Sequence, residues 1–337
     1  MKAPLITVLL PVYNGGKDLK RAVLSILEQT YSKFELLIIN DGSKDNSADI
    51  LKSIIDPRIM LVHQENMGLA KTLNRGIALS RGQYIARHDQ DDFSLPTRLD
   101  KQLKYMEAHP ECALLGTRAE IWVGDQRTER AHDHPSSHAD LCFDLLFNNP
   151  FVHSSVMLRR NMLEEIGGYT TDPSRQPPED YELWSRIARR FKIANIPERL
   201  LIYREVSQSM SRSGPNPFQN KLVNICAENL AFATNFDKQD DTILDIAALT
   251  HSAFDRISKN PNITRMCTAI ITAGNNIADE FDCPKIKGRA LERAKVLHHQ
   301  FLSYRTHPKW TLPLIRLTRT VMRKLLYDDQ SFKIKES

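Results

Sequence analysis

The segment "LITVLLPVY" (5–13) is apolar at nearly every position and stops at "NGG". A strand with water on one face alternates apolar and polar residues, so an unbroken apolar run of this length reads as a strand buried on both faces. "FELLIIN" (34–40), ended by Asp41-Gly42-Ser43, repeats the pattern. Between the two, Leu19, Ala22, Val23, Ile26 and Leu27 recur at the spacing of one buried helix face within 17–30. "NSADILKSII" predicts another helix and "RIMLVHQ" a short strand. Residues 68–80 predict a helix with Leu69, Leu73, Gly76, Ile77 and Leu79 mostly on one side, and "GQYIARH" (82–88) a further strand. Strand and helix alternating through short connections predict a parallel α/β sheet with helices on both faces.

Such sheets bind ligands beyond the carboxyl ends of their strands. "PVYNGG", "NDGS" and "DQDD" would then meet at one edge. The third motif sits in "RHDQDDFSLP" (87–96), where Asp89, Asp91 and Asp92 crowd three carboxylates together. Like charges this close raise one another's pKa and oppose folding unless water, a cation or hydrogen-bond donors compensate. A hard divalent cation that keeps substrate phosphates in its shell suits such a loop. Capping of the helix after Pro96 by Asp92 or Ser94 is the alternative. Asp41 can set its carboxylate against a base or ribose while Gly42 turns the chain away, although Asn-Asp-Gly-Ser is also ordinary turn chemistry. Pro11, Tyr13 and Asn14 likewise either line the site or merely close a strand. Glu179 and Asp180 either complement a helix dipole or supply the proton acceptor that an attacking hydroxyl needs.

Beyond Pro96 the expected elements are a helix over 97–108, a strand over 112–123, a helix over 138–147 and a strand over "FVHSSVMLRR" (151–160). The Pro-rich loop "DPSRQPPED" leads into a helix over 179–190 and then "KIANIPERLLIYR". After "SQSMSRSGPNP" (207–217) only helical patterns follow, which divides the chain into 1–214 and a helical part, 215–337. No run approaches the roughly 18 consecutive apolar residues of a spanning helix, and the N-terminus lacks a signal-peptide layout, so the expected compartment is the cytoplasm. Five widely spaced cysteines fit reduced packing residues there. Of the formal charge of +5, the stretch 289–337 with 11 Lys or Arg against 4 Asp or Glu carries +7. "HPKWTLPLIRLTRTVMRKLLYDD" mixes those cations with Trp310 and a run of leucines, the makeup of a basic interfacial helix, or of an amphipathic helix packed on the protein. No nucleic-acid motif accompanies the charge, so nucleic acid is not an expected partner.

The segments "VLLPVYNGGKDLKRAVLSILEQTY", "ELLIINDGSKDNSADIL", "NMGLAKTLNRGIALSRGQYIARHDQDD", "FVHSSVMLRR", "IGGYT", "PEDYELWSRIARR" and "LLIYR" occur in one order over residues 4–212. Together they resemble the family-2 inverting glycosyltransferases of bacterial surface-polysaccharide assembly. The resemblance implies the GT-A fold, a Rossmann-like, mostly parallel sheet with flanking helices, here followed by a C-terminal α-helical extension. It implies that Pro11, Tyr13, Asn14 and Asp41 contact the nucleotide, with Lys71 at a position that often approaches it. Asp91 would ligate Mn or Mg, and Asp89 would contact the ribose or a metal-bound water. Asp180 would be the catalytic base, with Glu179 beside it, while Asp92, His153 and Arg204 would line the donor or acceptor pocket.

The reaction that the resemblance implies is a single in-line displacement. An acceptor hydroxyl, deprotonated by Asp180, attacks the anomeric carbon of a nucleotide-diphosphate sugar, expected to be a UDP-sugar, and the nucleoside diphosphate leaves with inversion. The acceptor would be a saccharide or a lipid-linked one, with peripheral contact to the inner membrane. Two positions depart from the family pattern: His88 stands where an apolar residue is usual and Gln90 where a small one is. Either reaches the donor or points into solvent. Val206 replaces a frequent histidine. The alternatives are a silent sugar-nucleotide-binding module and a metal-dependent nucleotidyltransferase, though the glycine- and lysine-rich loop of the latter is not evident in "PVYNGGKD".

Overall fold

The structure, a computed structural model, describes residues 5–205 and 218–306. The expected boundary segment, Val206 and the basic tail from 309 onward lie outside the described residues. Nine strands run in the order β1 (Ile6–Val12), β2 (Phe34–Asp41), β3 (Ile59–Gln64), β4 (Tyr84–Arg87), β5 (Phe93–Ser94), β6 (Cys112–Val123), β7 (Gln126–His132), β8 (Met157–Arg159) and β9 (Lys192–Glu205). Helices α1 (Leu19–Leu27), α2 (Ser47–Lys52), α3 (Leu69–Leu79), α4 (Arg98–Ala108), α5 (His138–Leu145), α6 (Arg160–Ile166) and α7 (Glu179–Ala188) lie between or beside them. Then come α8 (Gln219–Thr234), α9 (Asp241–Thr250), α10 (Ile263–Glu280) and α11 (Lys285–Thr306).

The sheet order is β3-β2-β1-β4-β8-β6-β9-β5, with β7 paired to β6. Its first four strands are parallel, Ile6 standing opposite both Phe34 and Tyr84. Beyond β4 the pairing turns antiparallel at β8, returning to parallel only between β6 and β9. The continuous apolar character of β1 has a direct cause. Val8, Leu10 and Val12 enter a core with Val23 and Leu99 on one face of the sheet, while Leu9 enters the core of Leu37, Ile85 and Trp184 on the other. Helix α3 lies so close to β1 that a Cβ on Gly76 would sit 2.3 Å from Leu9 Cδ1.

Two local expectations are corrected. Within 151–160 only Met157–Arg159 pairs as strand, because His153–Ser155 forms a 3-10 turn. The Ser155 hydroxyl donates to the Val152 carbonyl at 2.8 Å, and such local bonds give the backbone an alternative to the ladder. Helix α6 is the second, an element absent from the expected order. It ends on Gly167 at φ 93°, a left-handed helix stop that "IGGYT" announces.

Helices α8–α11 share a third core with Ala139 and Phe143 of α5 and with Leu146 and Phe147 just past it. The helical part is thus fastened to the sheet region through a helix that precedes the Pro-rich loop. Among the described residues no helix is long and apolar enough to cross a membrane.

Candidate active site

The three motifs meet because β1, β2 and β4 are adjacent and parallel, and hydrogen bonds stitch them together. Tyr13 N–H donates to Gln90 Oε1 at 2.9 Å while Gln90 Nε2 donates to the Tyr13 carbonyl at 3.0 Å. Asn14 holds φ 51°, donates its N–H to Ser43 Oγ at 3.0 Å and accepts from Lys44 N–H through Oδ1 at 2.8 Å. Gly15 N–H donates to Ser47 Oγ at 2.9 Å. Pro11 is buried within β1, whereas Tyr13 is 45% exposed at the rim. Lys71 is exposed in the first turn of α3.

Asp41 closes the floor between β2 and α3. Its Oδ1 accepts from Gln64 Nε2 at 2.7 Å and Met67 N–H at 2.9 Å, and its Oδ2 from Gly68 N–H at 3.1 Å. The carboxylate therefore sits at the positive end of α3, where anions are favoured. Gly42, at φ 72°, lets the chain pass: a Cβ there would meet Asn66 N at 2.7 Å.

Each aspartate of the acidic cluster has a different fate. Asp89 pairs with the guanidinium of Arg87, which is 2% exposed, and its N–H donates to Ser154 Oγ at 2.8 Å. Asp92 is wholly buried and accepts the Arg204 backbone N–H on Oδ1 at 2.8 Å. Burial, with Asp89 and Asp91 nearby, pushes its carboxyl far up. Asp91 accepts no side-chain bond among the described residues, and burial followed by the Asp89 charge pushes it up to about 6. Asp89 has an arginine, Asp92 a backbone donor, and Asp91 only the more distant charges of Arg87 and Arg204.

The two departures from the family pattern are both engaged within the protein. His88 is 0% exposed, so it does not point into solvent. Its Nδ1 bonds the Asp89 carbonyl at 2.7 Å, and burial holds the ring neutral, its pKa well below the usual value. Gln90 spends its amide on Tyr13. Both shape the loop through the backbone. Arg204 is also structural: its side chain, 1% exposed, pairs with Asp18 at 2.6 Å and donates to the Gly124 carbonyl at 2.9 Å, behind Asp92.

Across from the acidic loop, Glu179 and Asp180 open α7. Asp180 Oδ2 accepts from Asn149 Nδ2 at 2.7 Å and Oδ1 from Tyr181 N–H at 2.7 Å. Burial raises its carboxyl, with Arg87 and Asn149 opposing the rise. Glu179 is pushed up to about 7, first by burial and then by the Asp180 charge. His153 bonds Tyr169 Oη at 2.9 Å and packs edge-on to Trp184, and burial keeps it neutral. Helix α7 is pinned by the Tyr181 hydroxyl, which donates to the Leu145 carbonyl at 2.8 Å, and by Asn229 of α8, which donates to Leu145 O and Ser185 Oγ.

Sequence reasoning overlooked Arg87, Asn149, Ser154 and Tyr169. Only Arg87 carried a signal, as a lone cation in a buried strand directly before the acidic run. It acts electrostatically on Asp89, Asp91, Asp92, Glu179 and Asp180. Arg98, also buried, donates to the Arg87 carbonyl at 2.8 Å and fixes that strand end from below.

The family model described as glycosyl transferase family 2 matches residues 7–167. The chain is 32% identical over 246 residues to an uncharacterized glycosyltransferase of Haemophilus influenzae, covering 69% of this chain and 75% of that protein. It is 32% identical over 217 residues to the amylovoran biosynthesis glycosyltransferase AmsE of Erwinia amylovora, covering 62% of this chain and 79% of that one. S. aureus TarS 1-349, solved in complex with UDP-GlcNAc, has the same fold at TM-score 0.58 and 13% identity, over 88% of this chain and 91% of that one. With the stitched strand ends, the acidic loop and these sequence relatives together, the chain belongs to glycosyl transferase family 2.

Proposed function

We propose that the protein is an inverting enzyme that transfers a sugar from a nucleotide-diphosphate donor, a UDP-sugar foremost, to a hydroxyl of a saccharide or lipid-linked acceptor in surface-polysaccharide assembly on the cytoplasmic side of the membrane. One observation carries the reading: a single buried cation, Arg87, acts on both the aspartates of the acidic loop and the Glu179–Asp180 pair. Donor diphosphate and base would thus both lie within reach of one buried positive charge.

The residues present suit a divalent cation. Asp91 accepts no side-chain hydrogen bond among the described residues, and the Asp89 charge acts on it. Among the described residues no three His, Cys, Asp or Glu side chains gather to hold an ion alone. Mg and Mn are bound through one or two carboxylates plus substrate phosphates, a set that Asp91 and Asp89 would begin. When bound, the ion neutralises charge on the departing diphosphate. The chain's own residues do the rest. Asp180, oriented by Asn149, takes the acceptor proton, and its raised pKa makes it a stronger base than an exposed aspartate. The 13–15 and 41–47 loops hold the nucleotide between Tyr13 and Asp41. Arg87 fixes Asp89 by an ion pair, so the donor meets a preformed site.

A thermal-shift screen of nucleotide sugars with and without Mn or Mg tests the reading, because a bound donor raises stability by mass action. The expected result is a donor whose shift grows with metal. A shift indifferent to metal would remove the role given to Asp91, and release of pyrophosphate from a nucleoside triphosphate would favour a nucleotidyltransferase instead.

A further inference from the structure

Away from the acidic loop, a cavity of ≈ 190 Å³ opens between the 172–178 loop and helices α8 and α9. It holds about six waters' worth of space, room for a phosphate group with part of its hydration. Four cationic side chains line it, Arg175, Lys221, Lys238 and Arg256, against one carboxylate, Glu228. That carboxylate is already engaged: Arg175 grips it in a fork at 2.8 Å on each arm and also reaches Glu182 at 3.3 Å. The grip holds the Glu228 carboxyl below its usual range.

Among the described residues, the hydrogen bonds of Lys221 and Arg256 in this lining go to neutral acceptors, while Lys238 adds to the positive charge that Glu228 feels. The Lys221 ammonium donates to the Gln176 carbonyl at 2.6 Å. Arg256 donates to the Asn220 carbonyl and to Asn224 Oδ1, each at 3.0 Å. Lys238 is exposed at the rim. Asp172 on the same loop feels Lys221, but it is exposed and accepts from the Ser174 N–H and hydroxyl, each at 2.8 Å. Three positive charges thus face one concave volume whose lining carboxylate is taken. Crowded like charges need a counter-ion, and planar guanidinium and ammonium groups together suit phosphate oxygens.

The wall of this cavity is the loop that delivers the base. Arg175 stands five residues before Asp180, so their backbones are at most roughly 18 Å apart even if that segment were fully extended. We propose that the cavity is an anion site for a phosphate-bearing acceptor, holding its phosphate or diphosphate while the hydroxyl to be glycosylated reaches Asp180. The proposal rests on the transferase reading above and adds the acceptor's chemical class. It also gives α8 and α9 a role beyond packing.

The test titrates inorganic phosphate into the full-length chain, with the donor site first saturated by whichever nucleoside diphosphate stabilises it most. Phosphate in solution and phosphatidate in phosphatidylcholine vesicles form two arms, which separate a soluble acceptor from a lipid-borne one. Lys238→Glu, at an exposed position that leaves the fold intact, is expected to weaken phosphate binding roughly tenfold, and Lys238→Glu with Lys221→Gln more than that. Nucleoside-diphosphate affinity should stay unchanged in both. Loss in the variants of binding in either arm supports the site and identifies its source. Equal phosphate and phosphatidate binding by wild type and variants overturns it. Failure of every nucleoside diphosphate to bind would instead strike the transferase reading, leaving the phosphate result interpretable by itself.

Discussion

The acidic-loop edge, the proposed donor site, and the start of α7, the proposed base, meet buried negative charge with different partners. At the donor edge, Asp41 is satisfied by two backbone N–H groups and Gln64, Asp89 by Arg87, and Asp92 by the Arg204 backbone. Loops 13–16, 43–47 and 88–92 then hold one another by hydrogen bonds. At the start of α7, Asp180 accepts from Asn149 and from the Tyr181 N–H, yet burial still raises its carboxyl together with that of Glu179. Hydrogen bonds and the Arg87 pair fix the loops at the sheet edge, whereas at Asp91, Asp92, Glu179 and Asp180 burial outweighs the donors present and raises the carboxyls. Arg87 is the element that touches both regimes.

The strongest challenge to this contrast is Asp180→Asn. It should lower transfer by roughly 10²–10⁴-fold while donor affinity, read by calorimetry, stays within about twofold, and unchanged turnover would remove Asp180 from the chemistry. In wild type, the acid limb of the rate profile should lie above the ordinary carboxylate range, because the base must be ionised and its carboxyl is raised.

Arg87→Met comes next. It strands Asp89 without its cation, and breaking a buried pair costs about 3–5 kcal/mol. The melting temperature should fall, kcat should fall more than KM rises, and Arg87→Lys should recover part of the rate. A Met variant with full kcat would make Arg87 a structural residue only.

Glu179→Gln probes the burial side. A carboxyl raised from its ordinary value to about 7 favours the folded state fully at acid pH and loses that contribution as pH rises through 7. The variant should therefore be more stable than wild type by about 2–3 kcal/mol at pH 8, with the difference vanishing below pH 4. Denaturant melts at both pH values check the sign.

Gln90→Ala, the smallest effect, cuts the two bonds between the first and third motifs. Stability should drop by about 1–2 kcal/mol, and donor affinity should fall a few-fold with kcat nearly unchanged. Affinity equal to wild type would show that the stitch does not shape the donor site.

Much of this architecture is legible in the residues alone. Continuous apolar runs announce strands buried on both faces, and their polar ends announce the edge where ligands bind, because period and burial are local properties of the sequence. The acidic loop and the Glu179–Asp180 pair stand out as concentrations of charge beside apolar runs. His88 and Gln90 are harder. Their identities are visible, but whether a side chain at a strand end turns inward, outward or back onto a neighbouring loop depends on atoms far away in the chain. Asn149 and Ser154 carry no signal at all, being ordinary polar residues until folding sets them against Asp180 and Asp89.

Hydrophobic periodicity and the hand of crossover connections are enough to dictate which segments become strand or helix, and so which carboxylates gather at the sheet edge. Which of those carboxylates are compensated was settled only when the chain folded. That depends on where Arg87, Asn149 and the Arg204 backbone come to rest, across 31 residues of chain in one case and 112 in another. Pairing and desolvation act through space, so which carboxyls are held and which are raised came into being with the fold.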